Sequence, residues 1–265
     1  MNNWLFIDKS DLTPEGKDWF QGARFKGTME RLDDWSWIRF LSICYTPVGK
    51  TILSRCPKLE WVMVRGTAYE KVDMNECRRR GVGVVEAIPT QSNCADYLVQ
   101  HLDEEPFLFY GYGNIGRIAA SRVVGDWPYV NRKTSEDRML ELVGRSRSIL
   151  MSVSYVKGLH RPPVFGRRFF RALDDVTLVS VCRPGTTNNQ ELLSAVREGR
   201  IRKAIFDTPG KDCYEELMAT GLVVDTKHTA WLTGMSRTDY LQRLRTCADA
   251  LIRGKPIGVV LPRRK

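Results

Sequence analysis

The chain has 265 residues, of which 43% are hydrophobic, and a formal net charge of +10. That length holds one large domain or two small ones, and that composition supports a packed core rather than a disordered chain. No apolar run reaches the ~20 residues of a membrane span, and the start Met1-Asn2-Asn3-Trp4 lacks the basic-then-apolar layout of a signal peptide. The expected address is therefore cytoplasmic. Seven scattered cysteines contain no Cys-x-x-Cys pair, so neither a zinc site nor a disulfide framework is expected, and no metal is. Basic residues cluster at 117–147, 161–171, 197–203 and in the tail Arg263-Arg264-Lys265. With no nucleic-acid motif beside them, a solvated basic surface is the preferred reading over nucleic-acid binding.

Taken in chain order, short apolar runs alternate with helical patterns. Strands are expected at residues 4–8, 39–45, 59–64 and 83–86, then a helix at 93–102. Further strands are expected at 107–110, 129–131, 148–153, 176–181, 203–207 and 222–225. Thr187-x-x-Gln190 resembles a capping box that opens a helix over 188–198, with Gly199 as its stop. A last helical pattern over 237–253 ends at Gly254 and leads to an apolar run at 257–261. This βαβα rhythm argues for parallel sheets with helices on both faces. The expected fold class is α/β, with a Rossmann-type doubly wound parallel sheet over 89–233. A smaller, flavodoxin-like α/β substrate domain is expected over 1–88, completed by 234–265.

The most informative stretch is Phe107-Leu108-Phe109-Tyr110-Gly111-Tyr112-Gly113-Asn114-Ile115-Gly116. It places Gly-x-Gly-x-x-Gly between an apolar strand and a helix start, the context that a dinucleotide-binding fingerprint requires. Gly111 would permit the tight turn, Gly113 the approach of backbone to a pyrophosphate, and Gly116 close packing of helix on strand. The helix N-terminus would offer N–H groups and partial positive charge to the pyrophosphate.

In such sites an acidic residue about 20 positions after the first glycine holds the ribose hydroxyls of NAD. Here that count reaches Asn131, followed by Arg132, Lys133 and Thr134. A neutral Asn removes the repulsion that a carboxylate would direct at a 2′-phosphate. Arg132, Lys133 and Thr134 supply a cationic fork, a point charge and a hydroxyl. NADP is therefore the expected cofactor, with NAD as the alternative.

Several segments together resemble the D-isomer-specific 2-hydroxyacid dehydrogenase family. They are the run from Pro57 to Asp73, Arg80-Gly81-Val82-Gly83-Val84, Asn93-Cys94-Ala95-Asp96 and the glycine fingerprint. Val179-Ser180-Val181-Cys182-Arg183-Pro184-Gly185, the run from Arg200 to Thr208, and Lys227-His228-Thr229-Ala230 complete the set, from about residue 58 to the end.

The resemblance implies an enzyme that reduces a small 2-oxo acid such as glyoxylate or hydroxypyruvate to a D-2-hydroxy acid. The alternative is a dinucleotide-binding regulatory or scaffold protein that has lost turnover. In the family an arginine, a histidine and a carboxylate carry the chemistry. Arg183 matches the arginine that clamps the substrate, and His228 matches the proton donor. Asp212 stands nearest the family carboxylate's offset, with Glu215 as the alternative. Asp207 would accept from the nicotinamide carboxamide. Cys182 would lie against the cofactor, either as a thiol of lowered pKa or as a buried one. Arg65, Gly66 and Thr67 would form the loop whose N–H groups hold the substrate carboxylate. Lys227 stands where the family has proline and would bring positive charge beside His228. Only 15 positions separate Asp96 from Gly111, where the family carries a longer helical insert that forms its dimer contact. A monomer or an atypical dimer is therefore expected.

Overall fold

A computed structural model describes residues 1–265 except 9–11, 13, 28–32, 45, 67–70, 154–163 and 265, and every side chain of those described but that of Glu15. In chain order the strands are β1 (Trp4–Phe6), β2 (Arg24–Phe25), β3 (Phe40–Ile43), β4 (Trp61–Val64), β5 (Gly83–Glu86), β6 (Phe107–Tyr110), β7 (Tyr129–Val130), β8 (Ser148–Met151), β9 (Val176–Ser180), β10 (Ile201–Phe206), β11 (Val223–Asp225) and β12 (Val259–Leu261). The helices are α1 (Pro14–Asp18), α2 (Lys50–Arg55), α3 (Met74–Arg80), α4 (Gln91–Gln100), α5 (Asn114–Ala120), α6 (Glu136–Gly144), α7 (Arg167–Arg171), α8 (Asn189–Arg197), α9 (Tyr214–Ala219) and α10 (Arg237–Ile252). No described helix is long and apolar enough to cross a membrane. The chain divides into two compact units, Met1–Thr90 with Met235–Lys265, and Gln91–Gly234.

The first unit is built on a six-stranded sheet in the order β12-β5-β4-β3-β1-β2. All pairs are parallel except β12 with β5. Successive residues of its strands point to opposite faces, so both faces need apolar cover. Leu5, Leu41, Ile43, Val62, Val64 and Val84 join one buried cluster. On the other face Trp4 stacks on Phe40 at 4.9 Å and Phe6 on Phe25 at 5.2 Å. Strand β2 has no counterpart among the sequence expectations. It is two residues long, too short for any periodicity, and pairs only with β1.

The second unit carries a fully parallel sheet in the order β11-β10-β9-β8-β6-β7. The chain leaves β6 for β7 on one side, then returns through α6 to β8 on the other. Nothing but the turn 131–135 separates β7 from α6, which leaves no room for a further edge strand. The order reverses at β6 and β8, and in open α/β sheets ligands bind beyond the carboxyl ends of the strands at such a point.

Alternation along the strands supplies two cores. Leu108, Ile149, Met151, Leu178 and Phe206 face one side, with Phe165, Phe169, Leu192 and Leu217 packed on them. Phe107, Phe109, Leu150, Val179 and Ile205 face the other, covered by Ala95, Leu98 and Ala119.

Two local expectations are corrected. Helix α8 is capped by Asn188, whose Oδ1 accepts from the N–H of Gln190 at 3.1 Å and of Glu191 at 3.2 Å, not by Thr187. Asn is at least as good a cap as Thr and sits one residue closer to the helix. Helix α4 starts at Gln91 rather than 93.

Candidate active site

The glycine fingerprint forms a cradle at the end of β6, and each glycine meets a different constraint. Gly111 has φ +105, and a Cβ there would lie 2.7 Å from the Ser152 carbonyl carbon beyond β8. Ser152 Oγ donates to the Gly111 carbonyl at 2.7 Å, which ties the two strand ends together. Gly116 lies inside α5, where a Cβ would stand 2.1 Å from the Gly111 carbonyl oxygen. Gly113 caps α5 in extended conformation, and a Cβ there would meet nothing within 4 Å. A tight turn, a close helix contact and an open approach thus fall on the first, third and second glycines in turn.

The first-turn amides of α5 have no intrahelical acceptors and lie behind that open approach. An anion such as a pyrophosphate fits this arrangement. Asn114 and Ile115 begin the helix, and Asn114 Oδ1 accepts from Arg117 at 2.9 Å. Tyr112 stacks on Tyr129 of the neighbouring strand, ring centroids 4.0 Å apart and planes 14° from parallel.

After β7 the chain closes a small turn. Asn131 N–H donates to Thr134 Oγ1 at 3.1 Å, and Lys133 N–H to Asn131 Oδ1 at 2.8 Å. Arg132 and Lys133 are exposed on this turn. Asn131, Lys133 and Thr134 also line a concavity of about 820 Å³, shared with Trp127, Tyr129 and Arg138.

The third strand-end group is Asp207 with His228. Asp207 follows β10, and its side chain is 8% exposed, whereas that of His228 is 51% exposed. His228 Nδ1 lies 2.8 Å from Asp207 Oδ2. Asp207 Oδ1 accepts from the Ala230 N–H at 2.8 Å, and the Asp207 carbonyl accepts from the His228 N–H at 2.6 Å. Thr208 Oγ1 stands 3.2 Å from the same Nδ1. A carboxylate can only accept, so the ring N–H of this contact lies on Nδ1. Nε2, on the far side of the ring, is then the nitrogen placed to exchange a proton with a ligand.

This corrects two expectations. The carboxylate against His228 belongs to Asp207, not to Asp212 or Glu215, both of which are exposed. The Asp212 carbonyl accepts from Asn189 Nδ2 at 2.8 Å, so that loop is anchored to α8. Asp207, expected as the acceptor for a nicotinamide carboxamide, is instead engaged with His228 Nδ1 through one oxygen and with the Ala230 N–H through the other.

Arg183 lies exposed three residues beyond β9, and its carbonyl accepts from Thr186 N–H and Oγ1. It projects from the same carboxyl edge of the sheet as the glycine cradle and Asp207. Cys182 is buried, and its Sγ accepts from the Val153 N–H at 3.2 Å. Burial pushes its thiol up to about 11, so the lowered-pKa alternative gives way to the buried one.

In the first unit, the role expected for Arg65 is also corrected. Arg65 is 2% exposed, its N–H donates to Ile43 O, and its guanidinium donates to Ser42 Oγ at 3.0 Å and to the carbonyls of Ile7 and Asp8. It ties together the carboxyl ends of β1, β3 and β4. Gly66 is half-buried, with open space where a Cβ would stand. Thr67 lies outside the described residues.

Four residues around His228 were given no site role by the sequence. Trp231 Nε1–H donates to the His228 carbonyl at 2.8 Å, and Asn93 Nδ2 donates to the Trp231 carbonyl at 2.8 Å. Asp225 accepts from Lys227 Nζ at 2.7 Å and from Tyr214 OH at 2.8 Å. The positive charge of Lys227 is thus directed to Asp225. The basic clusters elsewhere are laced with acids, as in Arg202 with Glu104 at 2.8 Å and Arg168 with Glu136 at 2.6 Å.

Residues 26–257 match the family model described as D-isomer specific 2-hydroxyacid dehydrogenase, catalytic domain. A hydroxypyruvate reductase of Blautia hydrogenotrophica is 21% identical over 271 residues, covering 81% of this chain and 82% of that protein. The 2-hydroxyacid dehydrogenase of Ketogulonicigenium vulgare Y25 superposes with a TM-score of 0.73 at 18% identity over 100% of both chains. The NADPH-dependent glyoxylate/hydroxypyruvate reductase of Sinorhizobium meliloti, solved with NADP and malonate, gives 0.74 at 15% identity over 100% of this chain and 99% of that one. The D-lactate dehydrogenase of Aquifex aeolicus, solved with NAD and lactic acid, gives 0.67 at 18% identity over 96% of each chain.

Proposed function

Because the chain belongs to the D-isomer specific 2-hydroxyacid dehydrogenase family of NAD(P)-dependent oxidoreductases, we propose that it reduces a small 2-oxo acid to its D-2-hydroxy acid with NADPH. Glyoxylate and hydroxypyruvate define the substrate class. In this reading Gln91–Gly234 holds the cofactor, and Met1–Thr90 with Met235–Lys265 is the substrate domain. The active form is a monomer, or a dimer through a surface other than a helical insert before β6.

The observation that carries the reading is the 2.8 Å contact of His228 Nδ1 with the buried Asp207 carboxylate, on the same sheet edge as the glycine cradle. When bound, the nicotinamide cofactor supplies the hydride. Gly111, Gly113 and Gly116 with the first turn of α5 would hold its pyrophosphate. His228 donates the proton on Nε2 to the carbonyl oxygen as charge develops there, and Asp207 stabilises the imidazolium before the transfer. Arg183 presents a planar fork to the 2-oxo-carboxylate, holding it and polarising the ketone.

Oxidation of NADPH followed at the nicotinamide absorbance across a panel of 2-oxo acids tests the reaction. Turnover with glyoxylate or hydroxypyruvate is the expected result. Tight NADPH binding without turnover of any 2-oxo acid would overturn it, and would leave a dinucleotide-binding protein without chemistry.

The cofactor preference is tested by binding. A charge-assisted contact contributes about 1.5–3 kcal/mol, so NADPH is expected to bind roughly ten- to a hundredfold tighter than NADH. Arg132→Ala should remove most of that difference, and added salt should shrink it. Equal dissociation constants in the wild type would refute the assignment of Asn131–Thr134 to a 2′-phosphate.

A further inference from the structure

His228 stands on strained backbone. Lys227 and His228 both have φ +58, and neither is a glycine. A left-handed conformation of this kind is unfavourable for an ordinary residue, and it persists only where its surroundings over-determine it. At His228 the restraints come from the Asp207 carbonyl on its N–H and from Trp231 Nε1–H on its carbonyl. At Lys227 they come from Asp225, with Tyr214 beside it. Asp225 Oδ1 accepts from the Lys227 N–H at 2.8 Å, and Oδ2 accepts from Lys227 Nζ at 2.7 Å. Tyr214 OH donates to the same Oδ2 at 2.8 Å and accepts from Lys227 Nζ, while the ammonium lies 5.0 Å from the centre of the Tyr214 ring.

The position of Asp225 explains the reach of this cluster. It ends β11 and pairs in register with Phe206, the residue before Asp207. The Thr226 N–H then donates to the Phe206 carbonyl at 3.0 Å. The Asp225 carboxylate therefore sits beside the strand end that carries Asp207, on the segment that must turn back to bring His228 over it. It is 10% exposed on its side chain. Burial alone would raise its pKa, and the hydrogen bonds from Lys227 and Tyr214 outweigh that and hold it below the usual carboxylate value.

We propose that Asp225 is a positioning residue for the reaction: with Lys227 and Tyr214 it latches the two left-handed residues that aim His228 at Asp207. The inference rests on the reading of His228 as proton donor. It adds that the imidazole's aim is set by a second carboxylate that touches neither substrate nor cofactor. Lys227 then serves as the latch's cation, its charge neutralised by Asp225, at a position where the family has proline.

Asp225→Asn removes the anion and keeps a similar shape. Two readouts follow it. The first is the downfield proton NMR signal of the His228 Nδ1–H against Asp207, assigned by its loss in His228→Ala and read without substrate or cofactor. It is expected to broaden or move in Asp225→Asn and in Lys227→Met, and to persist in Lys227→Arg, which retains a cation for Asp225. The second is steady-state kinetics with hydroxypyruvate and NADPH. A misaimed catalytic group can cost up to about a hundredfold, so kcat should fall roughly ten- to a hundredfold with KM and NADPH affinity unchanged. Lys227→Arg should retain most of the wild-type rate. An unchanged downfield signal in a folded Asp225→Asn protein overturns the latch, whether or not 2-oxo acids prove to be substrates. So does a kcat and KM indistinguishable from wild type.

Discussion

His228→Ala is expected to lower turnover of the 2-oxo acid by roughly 10²–10⁴-fold, the range for a general acid, while NADPH affinity stays near that of the wild type. The imidazole is half exposed, with Asp207 and Thr208 beside it. Its removal therefore leaves no large cavity and should cost little stability. Asp207→Asn is expected to cost nearly as much, because an amide at that position does not supply the charge that stabilises the imidazolium. Asp212→Asn should leave kcat almost unchanged, since the Asp212 side chain is exposed and its loop is held through its carbonyl. Stopped-flow or steady-state kinetics of the three variants decides the assignment. Wild-type turnover in His228→Ala removes it from the mechanism, and a large loss in Asp212→Asn with none in Asp207→Asn reverses the choice of carboxylate.

The second large effect separates cofactor binding from folding. Gly113→Ala places a methyl group where no protein atom lies within 4 Å and where φ is −84, an ordinary value for any residue. Ala is a poorer helix cap than Gly, by about 1 kcal/mol or less, so the apo protein should melt close to wild type. The same methyl group stands in the open approach to the α5 amides. Loss of a charge-assisted contact there should weaken NADPH roughly ten- to a hundredfold.

Gly116→Ala acts differently. Its Cβ would lie 2.1 Å from a backbone carbonyl, so strand and helix must separate. Overpacking of this kind costs about 1–3 kcal/mol, and the apo protein itself should be destabilised. Thermal melts with and without NADPH read both, because a ligand at a hundred times its Kd stabilises by about 2.7 kcal/mol. A wild-type NADPH-induced shift in Gly113→Ala would remove the cradle from the cofactor site.

The division between what was legible in the chain and what was not follows the range of the forces involved. Near-continuous apolar runs announced β4, β6, β8 and β9, because a strand buried on both faces is apolar at most of its positions. The glycine fingerprint was readable because it is a backbone constraint within six residues, and each glycine occupies the environment its place in the motif requires. Arg183 and His228 were singled out by the family resemblance, and both follow strands, β9 and β11, at the carboxyl edge of the parallel sheet where ligands of such folds bind.

The partner of His228 was not readable in this way. Asp207 and Asp212 are both near the end of β10 in sequence, and only the turn after Phe206, which buries one and exposes the other, separates them. Arg65 reads as a loop arginine beside a glycine, yet three strand ends converge on it and bury it, and that convergence is set by the sheet order. Tyr214, Asp225 and Lys227 lie on α9, β11 and the loop beyond, and their contact depends on φ +58 at residues 227 and 228. The amino-acid sequence by itself determined most of the elements, the parallel sheets and the glycine turn, because these rest on local periodicity and steric limits. The tertiary structure alone decided which charges meet, because burial and a strained turn, rather than spacing along the chain, bring one carboxylate and not its neighbour against the imidazole.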